Sequence, residues 1–117
     1  MKYLALIYSN EQEEMSRGDA FQKQVLDEYM AFEGWLAGQK GVKLGGNALQ
    51  PTPSATTVRV RNGKTLTTDG PFAETKEQLG GYYLLEAKDL DEAIKLAARI
   101  PTAKYGSIEV RPIMEFN

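Results

Sequence analysis

The 117-residue chain contains neither cysteine nor histidine. Without cysteine there are no disulfides, no thiolate nucleophile, no iron–sulfur cluster and no zinc site built on sulfur. Without histidine there is no Ser-His pair, no imidazole metal triad and no side chain that titrates near pH 7 unless its pKa is displaced. Proton chemistry therefore falls to carboxylates, lysine, tyrosine or the amino terminus. A surplus of positive charge is also missing: 14 basic residues face 16 acidic ones, for a net charge of -2. Residues 1 to 58 carry 5 basic and 7 acidic groups and residues 59 to 117 carry 9 of each, so neither half forms the polybasic patch that a nucleic-acid binder needs. No apolar run reaches membrane length. The opening Met1 to Tyr8 has one basic residue and a short apolar run that meets Glu11, Glu13 and Glu14, unlike a signal peptide, and the expected address is the cytoplasm. No dinucleotide or P-loop fingerprint occurs, so no metal and no organic redox cofactor are expected.

At 13.0 kDa and 42% hydrophobic residues, residues 1–117 make one domain. Surface scaling for this mass gives roughly 6,300 Å² exposed when folded against roughly 19,000 Å² unfolded, enough burial for a true core. Tyr3 to Tyr8 is apolar on both alternating faces, the pattern of a central strand covered on both sides. From Asp19 a helical period places Phe21, Val25, Tyr29, Phe32 and Leu36 on one stripe, with Leu26 and Met30 beside it, up to Gly38 and Gly41. Val42 to Gln50 reads as a short strand followed by an irregular connection at Pro51 and Pro53.

The sharpest local signal is Asn62-Gly63 between Thr56 to Arg61 and Lys64 to Thr68, a tight hairpin that sets Arg61 opposite Lys64, Val58 opposite Thr67 and Thr56 opposite Asp69. Leu79 to Ala87 is a second strand apolar on both faces. Asp89 to Glu92 has capping-box spacing and opens a helix that carries Leu90, Ala93, Ile94, Ala97 and Ala98 and ends before Pro101. Ser107 to Phe116 alternates as a last strand, with Pro112 pushing it toward an edge. Strand, helix, strand, hairpin, strand, helix, strand is an α+β order, the ferredoxin-like split βαβ plan with an inserted β-hairpin. Two helices cover one face of such a sheet, so strands apolar on both sides call for a partner subunit, most simply a homodimer about a twofold axis.

Asp69-Gly70-Pro71-Phe72-Ala73-Glu74-Thr75-Lys76-Glu77, followed by Gly80-Gly81-Tyr82-Tyr83, the helix Asp89 to Arg99, Ser107 to Pro112 and Leu44-Gly45-Gly46, resembles the DGPF-motif branch of the YCII-related proteins over nearly the whole chain. The resemblance implies a dimeric α/β barrel in which two ferredoxin-like sheets pack face to face. It also implies a catalytic pair, proposed for the wider superfamily, of a helix histidine and an aspartate near a later strand. Some members act on small cyclic compounds, and branch members resemble proteins encoded beside alternative sigma factors, a regulatory setting. Here the aspartate carries over to Asp69, and the histidine position falls near Tyr29.

Each candidate has two readings. Asp69 is a general acid or base if a cavity desolvates it, or a turn cap that shapes Gly70-Pro71. Phe72 lines a pocket or plugs the core, and Gly80-Gly81 marks a bulge or a close strand contact rather than a phosphate cradle. Glu74, Lys76 and Glu77 form a solvated turn or a lid over a pocket mouth. Glu11, Glu13 and Glu14 lie on a loop, too close together for metal ligands. If Ile108 and Val110 meet the helices, Glu109 and Arg111 point into the dimer barrel, where they would orient an anionic or hydroxylated ligand, or else they make an edge-strand salt bridge. Tyr29 belongs to the helix stripe, and its hydroxyl needs a partner, with Asp69 a candidate. The expected function is small-molecule binding in an inter-subunit cavity lined by Gly70, Pro71, Phe72, Tyr82, Glu109 and Arg111. The alternative is a cofactor-free lyase or isomerase in which Asp69 and Tyr29 transfer a proton and Arg111 anchors the substrate.

Overall fold

The computed structural model of the chain describes residues 1–116. The strands are β1 (Lys2–Ser9), β2 (Lys43–Ala48), β3 (Thr56–Arg61), β4 (Lys64–Asp69), β5 (Gln78–Glu86) and β6 (Ser107–Pro112). The helices are α1 (Glu11–Ser16), α2 (Asp19–Ala37) and α3 (Leu90–Ala98), with short 3-10 turns at Thr52–Ser54 and Pro101–Lys104. Four strands form an antiparallel sheet in the order β2-β5-β1-β6, and β3-β4 forms a separate two-stranded ribbon. The architecture is α+β.

The two strands with apolar side chains on both faces lie at the centre, as their composition requires. β1 pairs with β5 through Tyr3↔Leu85 and Ala5↔Tyr83, and with β6 through Ala5↔Val110 and Ile7↔Ile108. These residues point to one side, where α2 contributes Phe32 and Leu36 and α3 contributes Ala93 and Leu96. Phe32 meets Tyr83 edge to face with ring centroids 5.4 Å apart, a geometry that adds roughly 0.5–1.5 kcal/mol to the area buried. Leu4, Leu6, Tyr82 and Leu84 occupy the opposite side and remain half-buried, with no helix over them.

The ribbon has the expected register throughout, Arg61↔Lys64 to Thr56↔Asp69, and its turn is made by Asn62 at φ 53° and Gly63 at φ 75°, both in the left-handed region that a two-residue hairpin demands. It projects from the body, with every β4 residue exposed. The consequence shows in the overall dimensions. The chain measures 47 × 47 × 19 Å, and its radius of gyration of 16.3 Å exceeds the roughly 13 Å of a compact domain of this length. Its accessible surface is 8361 Å², about 2,000 Å² above the scaling value for a globule of this mass. The exposed ribbon and the uncovered sheet face both contribute to this excess.

Four local readings are corrected. Glu11, Glu13 and Glu14 lie not on a loop but on α1, which Asn10 caps by accepting the Glu13 N–H at 2.9 Å. The last strand stops at Pro112 instead of running to Phe116, because its partner β1 begins at Lys2: Pro112 stands opposite Tyr3, and a final bond from the Ile113 N–H to the Lys2 carbonyl at 2.9 Å closes the ladder. α3 buries Ala93, Leu96 and Ala97 and leaves Leu90 and Ile94 half exposed, so the stripe is rotated toward Leu96. Of the two flanking residues on α2, Leu26 and Met30 are both exposed. Leu36, 1% exposed, should therefore lose about 2–5 kcal/mol on Leu36→Ala, whereas Leu26→Ala should stay within about 0.5 kcal/mol of wild type. Urea unfolding of both variants checks this, and similar midpoints for the two would contradict the packing described.

Candidate functional site

An open cavity of about 810 Å³ lies between α2 and the β2/β5 end of the sheet. Its origin is a shortage of side chains. Gly46 stands opposite Tyr83, and Gly81 opposite Ile7, on the helix-facing side of the sheet. A Cβ on Gly46 would lie 2.8 Å from the Tyr83 ring and 2.9 Å from the Tyr82 carbonyl oxygen, and one on Gly81 would lie 3.0 Å from the Asn47 carbonyl oxygen. Close approach of the strands thus requires glycine at Gly46 and leaves a Cβ at Gly81 room only if the Asn47 backbone gives way by a few tenths of an ångström, and glycine leaves a bare floor. Gly80 is the extra residue where the β1–β5 register slips between Ile7 and Tyr8, the bulge that its sequence suggested. Above this floor, Leu26 and Met30 find nothing to pack on and are 60% and 66% exposed.

Two polar groups frame the cavity. The Tyr29 hydroxyl pairs at 2.5 Å with the hydroxyl of buried Thr102, which the 3-10 turn after α3 presents. Burial pushes the Tyr29 phenol above its ordinary value, although the bonds with Thr102 pull it back. At the other end, Tyr83 donates its O–H to Glu33 at 2.6 Å, and Lys43 donates to the same carboxylate at 2.8 and 3.2 Å. Lys43, and then Tyr83, hold the Glu33 carboxyl below the usual carboxylate range. Burial, and then Glu33, push the Tyr83 phenol up. The proton stays on the tyrosine and the negative charge on Glu33. The walls are otherwise aliphatic and aromatic, from Ile7, Val25, Leu26, Met30, Tyr29 and Tyr83, and among the described residues no lysine or arginine lines them. Such a site can enclose an apolar body and bond a small number of polar groups.

The chain matches the YCII-related domain over residues 1–117. It belongs to the YCII-related family. A protein of Rhizobium meliloti (strain 1021), described as uncharacterised, is 51% identical over 67 residues, which are 56% of this chain and 54% of that protein. The matched stretch thus spans about half the length of that relative.

In this YCII-related chain, Tyr29 lines the cavity, whereas Tyr82 borders it from the sheet with its side chain on the open face, where its hydroxyl accepts from Asn47 Nδ2 at 2.9 Å. The other expected residues lie elsewhere. Asp69 is exposed at the end of the ribbon and does not line the cavity, while the Tyr29 hydroxyl has Thr102 as its partner. The proton-transfer pair is therefore not assembled within one chain. Nor does the Asp69 carboxylate act as the expected turn cap, since among the described residues it accepts no hydrogen bond. The corner is held by backbone geometry: Gly70, at φ 95°, donates its N–H to the Ala55 carbonyl at 2.6 Å and accepts from Thr57 Oγ1 at 2.9 Å. Pro71 and Phe72 follow it into solvent, with Phe72 77% exposed, so Phe72 neither plugs the core nor lines this cavity.

Ile108 and Val110 pack on the core, which sends Glu109 and Arg111 to the open face, where they form an ion pair with each other. Arg111 does not reach the cavity and anchors nothing there. The cavity itself differs from the expectation of a space shared between two chains, because it lies on the helix-covered side of a single chain. Sequence reasoning missed Thr102, Glu14 and Glu33 as site residues. The detectable signal was the pair of glycine doublets, Gly45-Gly46 and Gly80-Gly81, on neighbouring strands.

Because folding lowers the pKa of Glu33, its contribution to stability is complete above the unfolded value of about 4.3 and is lost as the pH falls through the lower folded value. The side chains of Lys43 and Glu33 are 36% and 41% exposed, so solvent screening keeps the effect on the order of 1 kcal/mol or less. Urea midpoints should fall more between pH 6 and pH 3 in wild type than in Glu33→Gln. Parallel profiles would show that the bonds from Lys43 and Tyr83 do not favour the ionised form.

Proposed function

We propose that this chain is a cytoplasmic, homodimeric small-molecule-binding protein of the DGPF branch, a single domain with a ferredoxin-like sheet. The observation that carries the binding role is the cavity of about 810 Å³, which falls within the 300–1,000 Å³ range of ligand sites and combines apolar walls with a few fixed polar groups. Support for the ferredoxin-like plan comes from the antiparallel order β2-β5-β1-β6 once the ribbon is set aside. Support for a dimer comes from the surface excess of about 2,000 Å², which is more than the roughly 800 Å² per partner that a standard interface takes. The open face, with Leu4, Leu6 and Leu84 at its centre and Glu109 and Arg111 at its β6 side, has the apolar core and polar rim of such an interface. Packed face to face, two such sheets make the barrel of the family resemblance. No helix of the described residues is long and apolar enough to cross a membrane.

The binding role is favoured over proton-transfer chemistry because Tyr29 is held as a neutral phenol and Asp69 is not beside it. Sedimentation equilibrium at micromolar concentration should give twice the 13.0 kDa chain mass, and Leu84→Arg, which places a charge on the open face, should give the single-chain mass. A wild-type monomer would sink the dimer. Met30→Trp should fill the cavity from an exposed helix position without disturbing the fold, and should weaken binding of a neutral aromatic probe such as 1-naphthylmethanol by about tenfold or more in calorimetry. An unchanged affinity would place the probe elsewhere.

A further inference from the structure

Resting on the cavity reading above, we infer that the site selects an organic cation, an amine borne on an aromatic or aliphatic body, with Glu14 of α1 as its counter-ion. The charge inventory of the walls carries this. Two carboxylates line the cavity, Glu14 and Glu33, and no cationic side chain does. Glu33 is already occupied by Lys43 and Tyr83. Glu14 is half-buried, and among the described residues its carboxylate has no ion pair and no hydrogen bond.

Its backbone is nonetheless fixed. The Glu14 carbonyl accepts from Gln22 Nε2 at 2.8 Å and from the Arg17 N–H at 3.2 Å, which ties the end of α1 to the start of α2. Arg17 and Lys76 share a smaller neighbouring pocket with Glu14 but make no ion pair with it: Arg17 pairs with Glu13 at 3.3 Å and lies 4.9 Å from the centroid of the Phe21 ring. The Glu14 charge also reaches Tyr29, whose phenol it helps to hold protonated after the larger effect of burial. An anion entering here would meet the unpaired Glu14 carboxylate, while the one cation beside the wall, Lys43, is already committed to Glu33, a desolvation cost without return. An ammonium group would meet an unpartnered carboxylate and gain a charge-assisted hydrogen bond. The ligand class is thus opposite in sign to the one that an Arg111 anchor would have selected.

The test uses three probes with one aromatic body and different charge: 1-naphthylmethylamine, 1-naphthylmethanol and 1-naphthoate, titrated calorimetrically at pH 7. The amine should bind about tenfold more tightly than the alcohol, and the carboxylate about tenfold more weakly. Glu14→Gln should bring the amine to the affinity of the alcohol and leave the alcohol unchanged. Glu13→Gln, on the same helix but outside the cavity wall, should preserve the preference. Naphthoate binding as tightly as the amine, equal affinity for all three, or a preference that survives Glu14→Gln would overturn the cation selectivity while leaving a binding cavity in place. Failure of all three probes to bind would remove the cavity reading and this inference together.

Discussion

Two long strands, each apolar on both faces, pair along their whole length, and the rest of the molecule arranges itself around them. Once Tyr3, Ala5 and Leu85 turn toward the helices, the pleat obliges Leu4, Leu6 and Leu84 to turn away from them. Sliding the pairing by one residue would exchange the two sets, so the register and the identity of the covered face are one decision. α2 and α3 can satisfy only one set. The flat shape of the chain, the large accessible surface and the bare apolar face all descend from that pairing, and the demand for a second layer is written into it before any partner is considered.

The cavity follows from a second constraint acting at the edge of the same sheet. Where β2 approaches β5, backbone contacts exclude a Cβ at Gly46 and crowd one at Gly81, so the sheet offers little side-chain bulk to α2 there. A helix-on-sheet layer normally fills that space with interdigitating side chains. Here the helix offers Leu26 and Met30 to a surface that cannot answer them. The hollow is thus a consequence of strand packing rather than of a missing residue on the helix. Its polar frame is built from distant pieces: Tyr29 from α2, Thr102 from the turn after α3, and Lys43 from β2 reaching Glu33.

Much of the fold was legible because it depends on local patterns. The Asn62-Gly63 turn dictated its own register, Asp89 capped its helix, and the alternation in β1 and β5 identified the centre of the sheet. α1 was hidden, since six polar residues have no apolar stripe and depend on the Asn10 cap. The site was less legible. Tyr29 was found because it belongs to the helix stripe. Thr102 is remote in sequence and chemically unremarkable until the chain folds back. Asp69 attracted attention through its motif and proved to lie on an exposed ribbon, where neither a desolvated cavity nor a capping contact exists within one chain. Glu14 is not legible in the sequence, because a row of glutamates says nothing of which one faces inward.

The sheet topology also has a consequence for how the chain is made. Among the described residues β1 pairs with β5 and β6, so once synthesised it finds its first partner roughly seventy residues later. At about 5 to 20 residues per second that is a wait of order 4 to 15 s, during which a strand apolar on both faces has no mate. The ribbon β3-β4 is complete within that interval, since a local hairpin closes in about 1–10 μs. Nascent chains crowded on one message would then carry matching unpaired strands side by side. This order of elements leaves β1 waiting for its partner long after the ribbon has closed.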